Sequence, residues 1–212
     1  MKNSVTTSLC CSLLLSAVGV GLVGCNTAPT TPQASQQLTF DASKALDAMK
    51  QDDPSLQTLL NNAYAYVILP TVGQGGLIVG GAHGHGEAYQ GGVLVGYAEM
   101  DIVDIGAQIG GQEFSELLAF RTKEAFDKFT NNNLTLTAAA SAVILKSGAA
   151  AEAKWADDMA VFQRPTAGAM VKAAVGGQRF TYKALPGTVA APVTATPVSP
   201  VAPTTLPTTS GA

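Results

Sequence analysis

The two histidines of the chain stand as His83-Gly84-His85, and a His-x-His step puts both rings on one face of a strand. With Glu87 they offer three nitrogen and oxygen ligands, the number a catalytic zinc ion takes from protein. The glycines at 81, 84 and 86 read as a turn instead, and spacing supplies no fourth ligand, so no metal site is expected. Two acid pairs, Asp101 with Asp104 and Glu113 with Glu116, have the residue types for glycoside cleavage, which needs two carboxyls held at a set separation across a substrate. Spacing alone gives no such geometry. Ser115 and Ser141 lack a Gly-x-Ser-x-Gly elbow, and the glycine-rich stretch GQGGLIVGGAHG has neither the Gly-Lys-Ser/Thr ending nor the following helix of a phosphate loop. The residues therefore predict no catalytic group, no cofactor and no enzyme.

The N-terminus carries chemistry of another kind. Lys2, a polar stretch and an apolar run from Leu9 to Val23 read as an export signal, because the run is shorter than the ~20 apolar residues of a spanning helix. It ends in Leu22-Val23-Gly24-Cys25, which resembles the bacterial lipobox. That resemblance implies cleavage after residue 24, a diacylglycerol thioether on Cys25 and a further acyl chain, such as palmitate, on its amine. Two or more chains anchor stably where one does not. Cys10 and Cys11 fall in the removed segment, so the mature chain has no cysteine free for a disulfide. The expected location is the bacterial cell envelope, on the outer membrane facing the periplasm.

The elements that follow must position whatever the protein binds. Residues 25–37 read as a flexible tether and 186–212 as a disordered tail, the latter with six Pro and seven Thr in 27 residues and no charge or aromatic ring. The domain between, 38–185, opens with two short helices: Leu38, Ala42, Ala45, Leu46 and Met49 share one face, and Asp53-Pro54 starts a second helix with Leu56, Leu59 and Leu60 inward. Alternation over Tyr64–Leu69 predicts a strand stopped by Pro70. Residues 71–111 hold 13 glycines among short apolar clusters, which points to bulges and bends in a curved sheet or to close approach of a ligand. A helix is expected from Thr122 to Thr130 with Ala125, Phe126 and Phe129 inward. Further strands are expected over 134–145, 155–163, 167–175 and 178–182. The order predicts an α+β fold: a curved, barrel-like antiparallel glycine-rich sheet with two short N-terminal helices and one helix midway.

Pro70-Thr71-Val72-Gly73 with Gly75-Gly76, then Gly80-Gly81-Ala82, Gly84 and Gly86, then Ile105 to Gln112 (IGAQIGGQ), resembles the SYLF domain, a family of lipid-binding modules. The Phe114–Phe120 strand, the Ala125–Phe129 helix and Gly176-Gly177-Gln178-Arg179-Phe180 follow in the same order, and the signal with a lipobox is similar to the bacterial lipoprotein branch. The resemblance implies a non-catalytic domain that binds membrane phospholipid. Charge divides accordingly: residues 25–120 hold two basic and ten acidic residues, residues 121–183 nine basic and five acidic. Arg121, Lys123, Lys128, Arg164, Lys172 and Arg179 are the candidates for anionic headgroups, where each cation is worth ~1 kcal/mol. Ile78, Val93, Val95, Ile102, Val143 and Ile144 are candidates to line an acyl groove. A formal charge of −3 argues against nucleic acid as partner. The alternative is a structural or protein-interaction module of the envelope with no lipid ligand and a protein partner that the sequence does not name.

Overall fold

The computed structural model describes residues 27–132, 134–136 and 142–186. Thr31 accepts the Ala34 amide and Pro32 fills the first turn, so α1 (Pro32–Asp52) starts upstream of Leu38, inside the stretch expected to be tether. With 21 residues it is also not the short helix the sequence suggested. The second helix, α2 (Ser55–Asn62), follows at a corner built by Asp53.

Among the described residues five of the six strands pair antiparallel: β1 (Ala65–Gly76), β2 (Val79–Gln90), β3 (Val93–Phe120), β4 (Thr135–Leu136) and β6 (Met159–Ala184); β5 (Val143–Ile144) joins β6 in parallel. Between β3 and β4 lies α3 (Lys123–Thr130), capped by Thr122. The β2–β3 turn is Gly91-Gly92, both at positive φ, as a tight two-residue hairpin requires. Pro70 does not end β1; it sits in a bulge, where its missing N–H breaks no ladder, and Ser115 Oγ donates to its carbonyl at 2.7 Å. Likewise the segments expected separately over 159–184 are one strand.

The long strands explain the shape. The first half of β3 pairs with β2 and its second half with β1, so β3 arches around the β1–β2 hairpin, and β6 follows it along the outside. In a flat sheet the outer arch would be longer by about 15 Å, some four to five residues, given the usual strand spacing. Gly96 to Phe120 is matched by Ala184 to Met159 with a single register shift, so the arch must instead curl out of plane. Two distant parts of β6 then meet across the inside: Gln163 and Gln178 both donate to Glu116, at 2.5 and 3.1 Å. Among the described residues the sheet path ends at β4 without closing, so the α+β class holds and the barrel-like detail is not borne out.

Helices cover both faces at the wide end. Inside the curl, Phe126 and Phe129 of α3 pack on Phe120, Phe180, Val67, Leu69, Met100 and Leu118. Outside it, α1 and α2 place Ala42, Met49 and Leu56 on Ile68, Leu117 and Phe162. Strands buried on both faces read as the continuous apolar runs of Val67–Leu69 and Leu117–Phe120. Towards the narrow end burial alternates over residues 71–75 and 101–105, and Leu77, Ile78 and Val79 at the tip are all exposed. Among the described residues no helix is long and apolar enough to cross a membrane.

Candidate functional site

The outer face of β2 and β3 carries three zones, running from under α1 to the bend. Beneath α1, Glu87 is fully buried and accepts from Thr39 Oγ1 and Tyr89 Oη, each at 2.6 Å, while Ser35 meets Tyr97 at 2.6 Å. Tyr89 stacks on Tyr66 with centroids 5.0 Å apart, and burial, then the bond to Glu87, pushes its phenol well above the ordinary range.

Next along the same face lie both histidines. Register places His83 opposite Asp101 and His85 opposite Glu99, so all four side chains leave the same side of adjacent strands. His83 Nδ1 is 2.8 Å from Asp101 Oδ1 and 3.8 Å from Glu99 Oε1, and the two Nε2 atoms are 3.1 Å apart. The other oxygen of the buried Glu99 accepts from Thr27 at 2.8 Å. Burial, and next the neighbouring His83, hold the His85 ring below its ordinary pKa. Glu87, the acid that the spacing joined to the histidines, is engaged by α1 instead, and Glu99 takes its place. Strand pairing joins His85 to a residue from the next strand, which a local motif search does not see.

Beyond the histidines the outer face is uncovered. Val79 and Ile105 are paired across the strands, Val103 stands beside them, and Leu77 and Ile78 form the hairpin tip against the bend, where the Gly106 amide donates to Ile78 at 3.0 Å. With Ile109, these six residues are each between 63% and 77% exposed. The floor between them is bare backbone: Gly75 pairs with both Gly81 and Gly111. A methyl group at Gly75 or Gly111 would meet only ordinary contacts, and one at Gly73 none, so packing does not require glycine there. At Gly86 it does, since a Cβ would strike the Ile68 carbonyl at the β1 bulge.

The candidate headgroup cations are not gathered there. Arg121 pairs with Asp158 and lies 5.2 Å over the Trp155 ring. Lys123 pairs with Asp127 one turn on, and Arg164 with Asp52 at 2.6 Å. Lys128 is exposed on α3 at the wide end, Arg179 is exposed opposite Asp101, and Lys172 is opposite Gln108 at the bend, its side chain outside the described residues. Cys25 also lies outside them. Of the acyl-groove candidates, Val95 and Ile102 are core, whereas Ile78, Val93 and Ile144 are on the surface and Val143 is half-buried. Asp101 and Asp104 point to opposite faces, one exposed and one buried, and so do Glu113 and Glu116, so neither acid pair is assembled. Inside the curl, Gln112 donates to Gln74 and Gln74 to Asp104, at 2.8 and 3.1 Å.

Together these features define an α+β domain whose curled sheet ends in an uncovered apolar rim. Residues 101–190 match the family model Ysc84, described as "Las17-binding protein actin regulator", which bears out the resemblance to the SYLF-domain family. The match takes in β3 from Asp101, α3 and all of β6, and leaves out the β1–β2 hairpin. No curated protein matches the chain.

Proposed function

We propose that this is a non-catalytic phospholipid-binding domain of a bacterial envelope lipoprotein, tethered by acylated Cys25 to the outer membrane on its periplasmic side, and that the apolar rim enters the bilayer. The observation that carries the reading is the concentration of Leu77, Ile78, Val79, Val103, Ile105 and Ile109 on one exposed end of the sheet. Contiguous apolar surface of this kind marks a membrane or partner contact. Each aliphatic side chain moved from water gains about 1.5–3 kcal/mol, so three or four suffice for reversible binding. The tip segment Gly75–Gly81 contains no polar side chain, which suits an oily medium better than a hydrogen-bonding partner. A docking face for a protein is the competing reading, and the family description as a Las17-binding actin regulator favours it.

Flotation separates the two. A chain beginning at Asn26, and so without its anchor, is expected to rise with vesicles of phosphatidylethanolamine and phosphatidylglycerol. Ile78→Asp should cut its partitioning roughly 100-fold, from the lost burial together with the introduced charge. If the anchorless chain stays at the bottom with every lipid composition, the protein-docking reading replaces this one.

A further inference from the structure

Two imidazoles and a carboxylate converge on the outer face between α1 and the apolar rim, and nothing in the lipid-binding reading uses them. We propose that His83, His85 and Glu99 form a binding site for a divalent metal ion of the zinc type, with Asp101 as the positioning residue for His83. One ligand atom from each of the three lies within 4.8 Å of the other two. The separation of the histidine Nε2 atoms is the most specific observation. Zn–N bonds of about 2.0–2.1 Å in a tetrahedron put neighbouring nitrogens about 3.3 Å apart, and the two Nε2 atoms are 3.1 Å apart.

The protonation pattern agrees. The Asp101 carboxylate only accepts, so at 2.8 Å His83 Nδ1 carries the hydrogen and its Nε2 presents a lone pair. A carboxylate holding the far nitrogen of a ligating imidazole is the usual outer support of zinc-bound histidine. Glu99 is supported in the same way, with Thr27 donating to Oε2 at 2.8 Å, while Oε1 lies 3.8 Å from His83 Nδ1. The ligands stand on two paired strands, which fixes their spacing before an ion arrives. Glu99 is buried, and the His83 side chain is 46% exposed, leaving a way in. Three protein ligands leave a coordination position for water. On this face of β6, Arg179 stands opposite Asp101 and Lys183 opposite Tyr97, beside the two acids Glu99 and Asp101.

Without an ion the same distance is met by His85 Nε2–H donating to His83 Nε2, and experiment distinguishes the two. The tag-free mature chain is titrated with Zn2+ under calorimetry and with Co2+ under visible absorption. The site predicts one equivalent of Zn2+, removable by chelator, and a Co2+ spectrum of low-coordinate intensity. His83→Ala and His85→Ala should each weaken Zn2+ binding at least 100-fold, and Asp101→Asn 10- to 100-fold. Glu87→Gln, two residues beyond His85 on β2 and engaged by Thr39 and Tyr89 under α1, should bind as the wild type does. Should the histidine variants unfold, nitrogen NMR of the wild type decides: both Nε2 resonances must move on adding Zn2+. No stoichiometric Zn2+, unshifted Nε2 resonances, or histidine variants that bind like the parent would overturn the site and leave a hydrogen-bonded histidine pair.

Discussion

Raising the pH from 5 to 8 is expected to lower the unfolding free energy by up to about 3 kcal/mol through one side chain, Glu116. It is fully buried inside the curl, its Oε1 has no partner among the described residues, and burial outweighs the donors Gln163 and Gln178 to push its pKa from 4.5 up to about 7. An acid whose folded pKa is raised binds more protons folded than unfolded. Its favourable contribution is therefore complete below pH 4.5 and is lost as pH rises through about 7. The gap between those values corresponds to about 3 kcal/mol. Glu116→Gln keeps the shape and an accepting oxygen for the two glutamines while removing the titration. It should match the wild type at pH 5 and exceed it at pH 8 by most of that amount. His85, held below its ordinary pKa, gives the opposite slope up to about 6.5, so the difference between the two proteins in urea titrations isolates Glu116. Parallel stability curves for wild type and Glu116→Gln would show that the carboxyl is not desolvated as described.

The second large effect is at the other end of the molecule. Asp53 is fully buried, and its two oxygens take four donors: Ser55 N at 3.0 Å, Ser55 Oγ at 2.6 Å, Gly148 N at 3.1 Å and Ala150 N at 2.7 Å. Burial alone would raise its pKa, yet these bonds together bring it below the ordinary value. A single side chain thus ties the α1–α2 corner to the turn after β5, which is 95 to 97 residues away. Asp53→Ala leaves backbone amides unpaired, at about 1–3 kcal/mol for each that is buried, and should cost about 3–4 kcal/mol in all, near 10 °C in melting temperature. Asp53→Asn retains an accepting oxygen and should lose about half as much. Because the folded pKa is depressed, the wild-type contribution is present above pH 3.8 and fades only as pH falls through the lower folded value. Between pH 5 and 8 it is constant, and it does not blur the Glu116 measurement.

These two residues show what was legible in the sequence. The stripes of α1 and α2, the inward face of α3 and the glycine-marked curvature follow from local periodicity, and they emerge as read. Asp53 was visible as a helix start, but its ties to Gly148 and Ala150 were not, because they join segments far apart along the chain. Glu116 looked like half of an acid pair until the strand separated it from Glu113. Pro70 looked like a terminator, since a bulge is a property of three strands and not of one. The histidine pair stands out in the sequence, whereas Glu99 joins it only through cross-strand register. For membrane contact the sequence pointed to basic residues, whereas the structure engages Arg121, Lys123 and Arg164 with carboxylates and exposes aliphatic residues at the bend.

The central claim, that the hairpin tip enters a bilayer, meets its most direct test in a site-specific probe. All three cysteines precede Asn26, so a chain starting there accepts one label at Ile78→Cys without background. With vesicles of phosphatidylethanolamine and phosphatidylglycerol, a polarity-sensitive dye at that position should shift to the blue and be quenched by lipids carrying a quencher on the acyl chain. The same dye at Lys128→Cys on α3 should remain aqueous. A tip label that stays in water while the protein floats, or a label on α3 that shifts in its place, would contradict the account.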